Sequence, residues 1–271
     1  MRNLFRRTIT GVFCIVLIVG AILAGQQLFA LLFLFVTIIG LWEFYSLMES
    51  SSIVPNKMAG TLIGAFIFVS NALIALGIAS FQLLFCSVLL LFMIFLLELY
   101  RNMSSPFINI AYTFFGILYV VVPLSLLNYF PNPSFSEGIH NMQFLLGFFI
   151  LVWVNETFAY IVGTTLGKTK LFKSLSPNKT WEGMIGGGIF ALLASWIISN
   201  YYTDIGFVNW FVIALIIVVF GTYGDLFESL LKRSTNKKDS GSILPGHGGI
   251  LDRFDGVLIA APFVFVYLHI I

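Results

Sequence analysis

Long apolar runs separated by short polar turns dominate the chain. They fall near residues 9–25, 28–48, 58–78, 81–99, 107–130, 142–163, 184–200, 207–224 and 250–270. A bilayer core takes about 20 apolar residues per helix, so the pattern predicts nine transmembrane helices. Phe, Ile and Val favour strands in water, but these runs are too long for strands. A membrane barrel would show segments of about ten residues with alternating polarity, and no such alternation is present. Gly25-Gln26-Gln27 and Gly77-Ile78-Ala79-Ser80 read as turns, and Pro131-Asn132-Pro133 ends the fifth run, as proline should.

Composition agrees. Of 271 residues, 59% are hydrophobic and 10% charged, with a mean hydropathy of +1.00. Soluble domains carry about 25% charged residues. The expected fold is therefore an all-α, polytopic integral membrane bundle. It reads as one domain over 1–271, with the helices of 1–140 as a lipid-embedded scaffold and 142–271 as the half that carries the chemistry. No linker, low-complexity tract or internal repeat breaks it. A net charge of +2 gives no reason to expect a nucleic-acid partner. Cys14 and Cys86 each sit in an apolar run without metal-ligand spacing, and are expected to be buried thiols. The basic start and first apolar run resemble a signal peptide. Without a clean cleavage site near Gly25, the first run is expected to remain as a span. Apolar helices with small-residue seams also suggest a homodimer.

The positive charges sort by side. Arg2, Arg6 and Arg7 precede the first run, Lys57 follows the second and Arg101 the fourth. Lys168, Lys170, Lys173 and Lys179 follow the sixth. Lys232, Arg233, Lys237, Lys238 and Arg253 lie between the eighth run and the start of the ninth. If nine spans alternate, all 14 Lys and Arg face one side. The positive-inside rule makes that side cytoplasmic, together with the amino terminus and both long loops.

Acids concentrate near the end of the chain: Asp225, Glu228, Asp239, Asp252 and Asp255 are five of its 12. Asp225 and Glu228 share a helix face, with Ser229 one turn from Asp225. Asp252 and Asp255 repeat the spacing at the start of the last run. So many carboxylates at a membrane edge repel one another unless a cation joins them, and oxygen ligands of this kind suit Mg²⁺. The bland explanation is solvated loop acids paired with Lys232, Arg233 and Arg253. The loop between the pairs adds Lys232, Arg233, Lys237 and Lys238 as phosphate-binding cations. Gly246, Gly248 and Gly249 around His247 would let backbone N–H groups approach an anion. A lipid anchor would explain the lysines, but not the acids among them.

The stretch from Ser229 to Asp255 resembles the signature of the phosphatidate cytidylyltransferases, the CDP-diacylglycerol synthases. Ser229, Lys232, Arg233, Lys238, Asp239, His247, Gly248, Gly249, Asp252, Arg253 and Asp255 fit it without gaps. Gly224-Asp225-Leu226-Phe227-Glu228 extends it upstream. A second block, Ser176-Pro177-Asn178-Lys179-Thr180-Trp181-Glu182-Gly183 followed by Gly186-Gly187-Gly188, resembles the family's nucleotide and phosphate region. There Lys179 offers a cation and Thr180 a hydroxyl; Trp181 is either an interfacial anchor or a base contact, and the glycines let helices pack closely. The resemblance is strong over about 155–256 and only general before that. The sixth run departs from it: Glu156 stands where the family usually has Asp, and Phe158 where it has Gly. An acid inside a span is a functional candidate, and Glu156 would pair with a lysine or contact a nucleotide hydroxyl.

The resemblance implies CTP + phosphatidate → CDP-diacylglycerol + pyrophosphate, with CTP and phosphatidate as partners and the active site at the cytoplasmic face of a bacterial inner membrane. It implies Mg²⁺ on Asp225 and Asp252, with Asp255, Glu228 or Asp239 assisting a second cation. Lys232, Arg233 and Lys238 would hold phosphates. His247 is assigned to phosphate contact or loop shape. Ser176, Lys179, Thr180, Glu182, Ser229, Gly248, Gly249, Arg253 and Glu156 would line the substrates. Two other readings stay open: a CTP-dependent transferase acting on another lipid phosphate or lipid alcohol, and a secondary transporter, which would show a repeat and mid-bilayer polar residues.

Overall fold

The computed structural model describes residues 2–50, 52–131, 142–237, 240–241 and 248–270, with side chains from Thr10 onward. Lys238, Asp239, Gly246 and His247 lie outside the described residues. Among the described residues nine helices follow one another: α1 (Arg2–Ala24), α2 (Gln26–Met48), α3 (Lys57–Ala75), α4 (Leu83–Arg101), α5 (Pro106–Tyr129), α6 (Met142–Thr165), α7 (Trp181–Tyr201), α8 (Gly206–Ser234) and α9 (Leu251–Leu268). Within α5 the backbone widens into a π-helical turn over Ile117–Val121. Seven of the nine are long and apolar enough to cross a bilayer by themselves. The other two are α1, whose apolar part is Thr10–Ala24, and α9, which opens with Asp252, Arg253 and Asp255. The nine expected runs thus correspond to nine helices, and the chain is an all-α polytopic membrane protein.

Two features depart from the apolar pattern. Helix α8 continues to Ser234, well past the end of its apolar run at 224. Its last turns carry Glu228 and Lys232 against α9, so the hydropathy falls while the helix goes on. Between α6 and α7 the chain also forms a small antiparallel hairpin, β1 (Lys170–Phe172) with β2 (Ser176–Thr180).

Helices α6, α7, α8 and α9 pack in succession, and α1 leans on α2 and α6. Glycines set the closest approaches. A methyl group on Gly187 would lie 2.6 Å from the Asn155 carbonyl, and one on Gly183 2.8 Å from the Ala159 carbonyl. The seam of small residues expected in α7 therefore lets two backbones meet. Phe158, in place of the family's glycine, stacks flat on Phe190 of α7 at 3.7 Å between ring centres. Behind α9, Phe33 of α2 packs against Phe149 and Phe254, joining three helices.

Helix α4 lies at the perimeter and turns Phe85, Leu89, Phe92 and Leu96 outward. Cys86 shares that exposed surface and Cys14 is half-buried. The expectation that both thiols are buried is corrected: an apolar run in a membrane helix has a lipid-facing side, and Cys86 is on it.

Candidate active site

The site begins with the antiparallel register of α8 and α9. Gly224 lets them touch, since a methyl there would overlap the Asp255 carbonyl and lie 3.0 Å from the Gly256 Cα. From that contact the acids pair across the helices rather than along them. Asp225 meets Asp255 side chain to side chain. Glu228 meets Asp252, with the Lys232 ammonium between them, 2.6 Å from Glu228 Oε2 and 2.7 Å from Asp252 Oδ1.

Asp252 is held on its other oxygen as well. Its Oδ2 accepts hydrogen bonds from Ser240 N at 3.1 Å, Ser240 Oγ at 2.9 Å and Gly249 N at 2.7 Å. The Gly249 N–H, expected on a phosphate, is thus directed to a carboxylate. Gly248 takes the left-handed conformation, φ 78°, and a methyl there would overlap Asp252 Oδ2. Glycine is what lets the loop close this tightly. Lys232, also expected on a phosphate, is placed as the counterion of buried Glu228 and half-buried Asp252.

The hairpin supplies the opposite wall. Lys179 forms an ion pair with Asp225. Thr180 is buried and caps α7, its Oγ1 accepting from Gly183 N at 3.1 Å. A threonine at this position satisfies an otherwise orphaned N–H, so its hydroxyl is engaged in the fold. Glu182 accepts from the backbone N–H groups of Lys168 and Thr169 at 3.1 and 3.0 Å, closing the turn that leads into the hairpin.

These elements enclose a cavity of about 1130 Å³. Glu156, Ser176, Lys179, Thr180, Asp225, Asp252, Arg253 and Asp255 supply its polar lining; Phe13, Leu17 and Ile18 of α1 with Phe149 and Val152 of α6 supply apolar lining. Glu156 is accessible in the cavity and stands in electrostatic range of Asp225, Lys179 and Arg253. Glu182, Glu228, Ser229, Lys232, Arg233, Gly248 and Gly249 do not line it. Arg233 is exposed at the end of α8.

Among the described residues, no three His, Cys, Asp or Glu side chains form a ready metal-ligand group. The four expected ligands differ in what they offer. Asp252 and Glu228 share Lys232, and Asp252 has both oxygens engaged by donors. Asp225 and Asp255 face each other beside the cavity with one ammonium, that of Lys179 on Asp225, to offset both, and further positive charge would stabilise them. This pair fits a divalent cation that keeps most of its water; Asp252 and Glu228, as arranged, do not.

Two contributors fall in parts of the chain that sequence reading left as scaffold. Glu43 of α2 is 4% exposed, and its Oε2 accepts from Leu251 N at 3.1 Å. Tyr119 is carried on the π turn of α5 and packs on Phe227 of α8, with its hydroxyl buried and without a hydrogen-bond partner among the described residues. It lies in the field of Asp255, Glu228 and Asp225. The rule that marks an acid inside a span as functional would have found Glu43. A π turn is often associated with functional sites, but nothing in the residues of α5 announces one.

A bundle of membrane helices with an ionic cluster beside a cavity of mixed polar and apolar lining suits a membrane enzyme. The chain belongs to the cytidylyltransferase family, whose profile matches residues 5–271, and it is a nucleotidyltransferase. It is 31% identical over 274 residues to a phosphatidate cytidylyltransferase of Bacillus subtilis, covering 99% of this chain and 98% of that protein. It is 36% identical over 201 residues to one of Rickettsia felis, covering 71% and 85%. Against one of Staphylococcus saprophyticus it is 39% identical over 184 residues, covering 66% and 68%.

Proposed function

We propose that the chain transfers the cytidylyl group of CTP to phosphatidate, giving CDP-diacylglycerol and pyrophosphate, at the cytoplasmic face of a bacterial inner membrane. The observation that carries this reading is the mixed lining of the cavity. A substrate pair that couples a charged nucleotide to a lipid phosphate needs both charged and apolar walls, and the cavity has both. The sorting of Lys and Arg to one side supports the orientation.

In the reaction a phosphate oxygen of phosphatidate attacks the α-phosphorus of CTP. The bond to the bridging oxygen breaks, and pyrophosphate leaves with that electron pair. The nucleophile is already ionised at neutral pH, so no strong general base is needed. Both reactants are anions, and the residues of the polar lining serve mainly to position them and offset their charge. Lys179 and Arg253 face the phosphates. Glu156 faces the nucleotide, where a carboxylate can accept from a sugar or base donor. Asp225 and Asp255 would hold Mg²⁺, which when bound neutralises charge on the phosphate oxygens. Asp252, Glu228 and Lys232 form the ionic floor that fixes α8 against α9. The acyl chains of phosphatidate rest against Phe13, Leu17, Ile18 and Phe149.

The test is pyrophosphate release by the purified full chain in detergent, with CTP and either phosphatidate or an isoprenoid acceptor, with and without Mg²⁺. Release that requires CTP, phosphatidate and Mg²⁺ is expected. Preference for the isoprenoid acceptor would move the chain to a different lipid substrate, and no release with either acceptor would reject the activity.

A further inference from the structure

We propose that Glu43 is a positioning residue for the transfer reaction, fixing the loop between α8 and α9 and through it Asp252; the proposal rests on the cavity being the site of transfer. Glu43 lies on α2, far in sequence from any of the signature residues. A carboxylate buried inside a membrane helix bundle is costly to keep, so its surroundings should show what it holds. Its Oε2 accepts from Leu251 N in the first turn of α9, where an exposed backbone N–H and the positive end of the helix both favour an anion.

Glycines of the loop lie against the same carboxylate. A methyl on Gly241 would lie 2.5 Å from Glu43 Oε1 and 2.8 Å from Cδ, and one on Gly249 would overlap Oε2. The carboxylate is wedged between two glycines that flank the 242–247 segment on either side. Ser240, next to Gly241, and Gly249 are the residues whose N–H groups hold Asp252 Oδ2. One acid thus lies against the residues on both sides of the segment, and Ser240 and Gly249 in turn hold the second acid. A further clamp lies nearby on the same helix: Lys237 Nζ donates to the carbonyls of Ser46 at 2.8 Å and Leu47 at 3.1 Å. Helix α2 is therefore a strut for the loop, and Glu43 is the point where strut and active-site carboxylate connect.

A purely structural role would make Glu43 variants lose activity only as far as they lose fold. The experiment uses the purified full chain, measuring pyrophosphate release from CTP with phosphatidate alongside thermal unfolding. Glu43→Gln keeps the shape but sets an amide N–H₂ against the glycines or against Leu251 N. It should unfold near the wild-type temperature, with kcat lowered roughly 30-fold or more and the KM for CTP changed less than about 3-fold, as a displaced catalytic group predicts. Gly241→Ala tests the same contact from the loop side, outside the helices. It should also lower kcat, because the added methyl pushes on Oε1. Glu43→Asp shortens the acid and frees that space. The double variant Glu43→Asp with Gly241→Ala should then be no worse than the poorer single variant, since the two act on one contact. Wild-type kcat in Glu43→Gln, a loss that tracks the unfolded fraction, or multiplicative losses in the double variant would each overturn the proposal. A wild-type protein that releases no pyrophosphate rejects the activity itself, which separates that failure from failure of the Glu43 role.

Discussion

Asp225 of α8 and Asp255 of α9 lie within hydrogen-bonding reach of each other across the contact that Gly224 makes possible. Along the chain each belongs to an i, i+3 pair on its own helix, but in space the pairs exchange partners. Asp225 goes with Asp255 at the cavity, and Glu228 goes with Asp252 around Lys232. The two couples have different environments. Both acids of the inner couple line the cavity, with Lys179 on Asp225, whereas the outer couple shares Lys232 and puts only Asp252 at the cavity.

That division predicts different phenotypes for acids that look alike in sequence. Asp225→Asn and Asp255→Asn should each insert and fold yet lose Mg²⁺-dependent turnover, by about 100-fold or more for a group that offsets charge in the transition state. Pyrophosphate release measured against Mg²⁺ concentration checks this. Wild-type turnover and Mg²⁺ dependence in both variants would remove the metal assignment from this pair.

Lys232 should behave as a structural cation. Its ammonium neutralises Glu228, only 2% exposed, as well as Asp252. Lys232→Met leaves two acids facing each other without a counterion. Removing one partner of a buried ionic group costs about 3–5 kcal/mol, and the lower end applies here because the ammonium is partly open to its surroundings. A lower unfolding temperature in detergent is the readout. Adding Glu228→Gln to Lys232→Met should recover part of the loss, because one of the stranded charges is gone. If Lys232 instead acts on a phosphate, Lys232→Met will raise the KM for CTP and leave the unfolding temperature where it was.

The glycines give a prediction on the scaffold alone. Gly187→Ala places a methyl 2.6 Å from the Asn155 backbone carbonyl, and backbone cannot swing aside as a flexible side chain can. Overpacking of this kind costs about 1–3 kcal/mol. Gly20→Ala on α1 meets nothing within 4 Å, and by helix propensity should be neutral or gain up to about 1 kcal/mol. Thermal unfolding of the two variants side by side tests whether the α6–α7 seam, rather than glycine content, sets stability.

Much of this was legible in the sequence because membrane helices announce themselves by length, and because the residues between Asp225 and Asp255 carry chemistry at helical spacing. Their cross-helix pairing was not legible, since spacing along one helix says nothing about the register of its neighbour. The apolar run of α8 ends before the helix does, because hydropathy drops at Asp225 while the helix, with Glu228 and Lys232 set against α9, runs on to Ser234. The hairpin of Lys170–Phe172 and Ser176–Thr180 is too short to show a period of two. Glu43 was passed over inside Leu41-Trp42-Glu43-Phe44-Tyr45, where one acid among apolar neighbours hardly alters the hydropathy. Tyr119 has no sequence signal, since a phenol in an apolar run is common and the π turn that carries it follows from packing.

The orientation of the bundle can be settled by labelling. Hydrogen bonds bring the end of α2 (Ser46 and Leu47), Lys237 beyond α8 and the first turn of α9 together at one end of the molecule. With nine helices crossing in alternation, the connection between α5 and α6 belongs at the other end. In a variant with Cys14 and Cys86 replaced by Ser, a cysteine at Asn236 should resist a membrane-impermeant thiol reagent added outside spheroplasts and react after lysis. A cysteine at Ser136 should react from outside. Gathering all 14 Lys and Arg on the inner side requires this result, because basic loops near spans are retained in the cytoplasm. Equal accessibility of the two positions would mean that one of the nine helices does not cross, and the cavity's polar lining would then have to be reassigned to the opposite face.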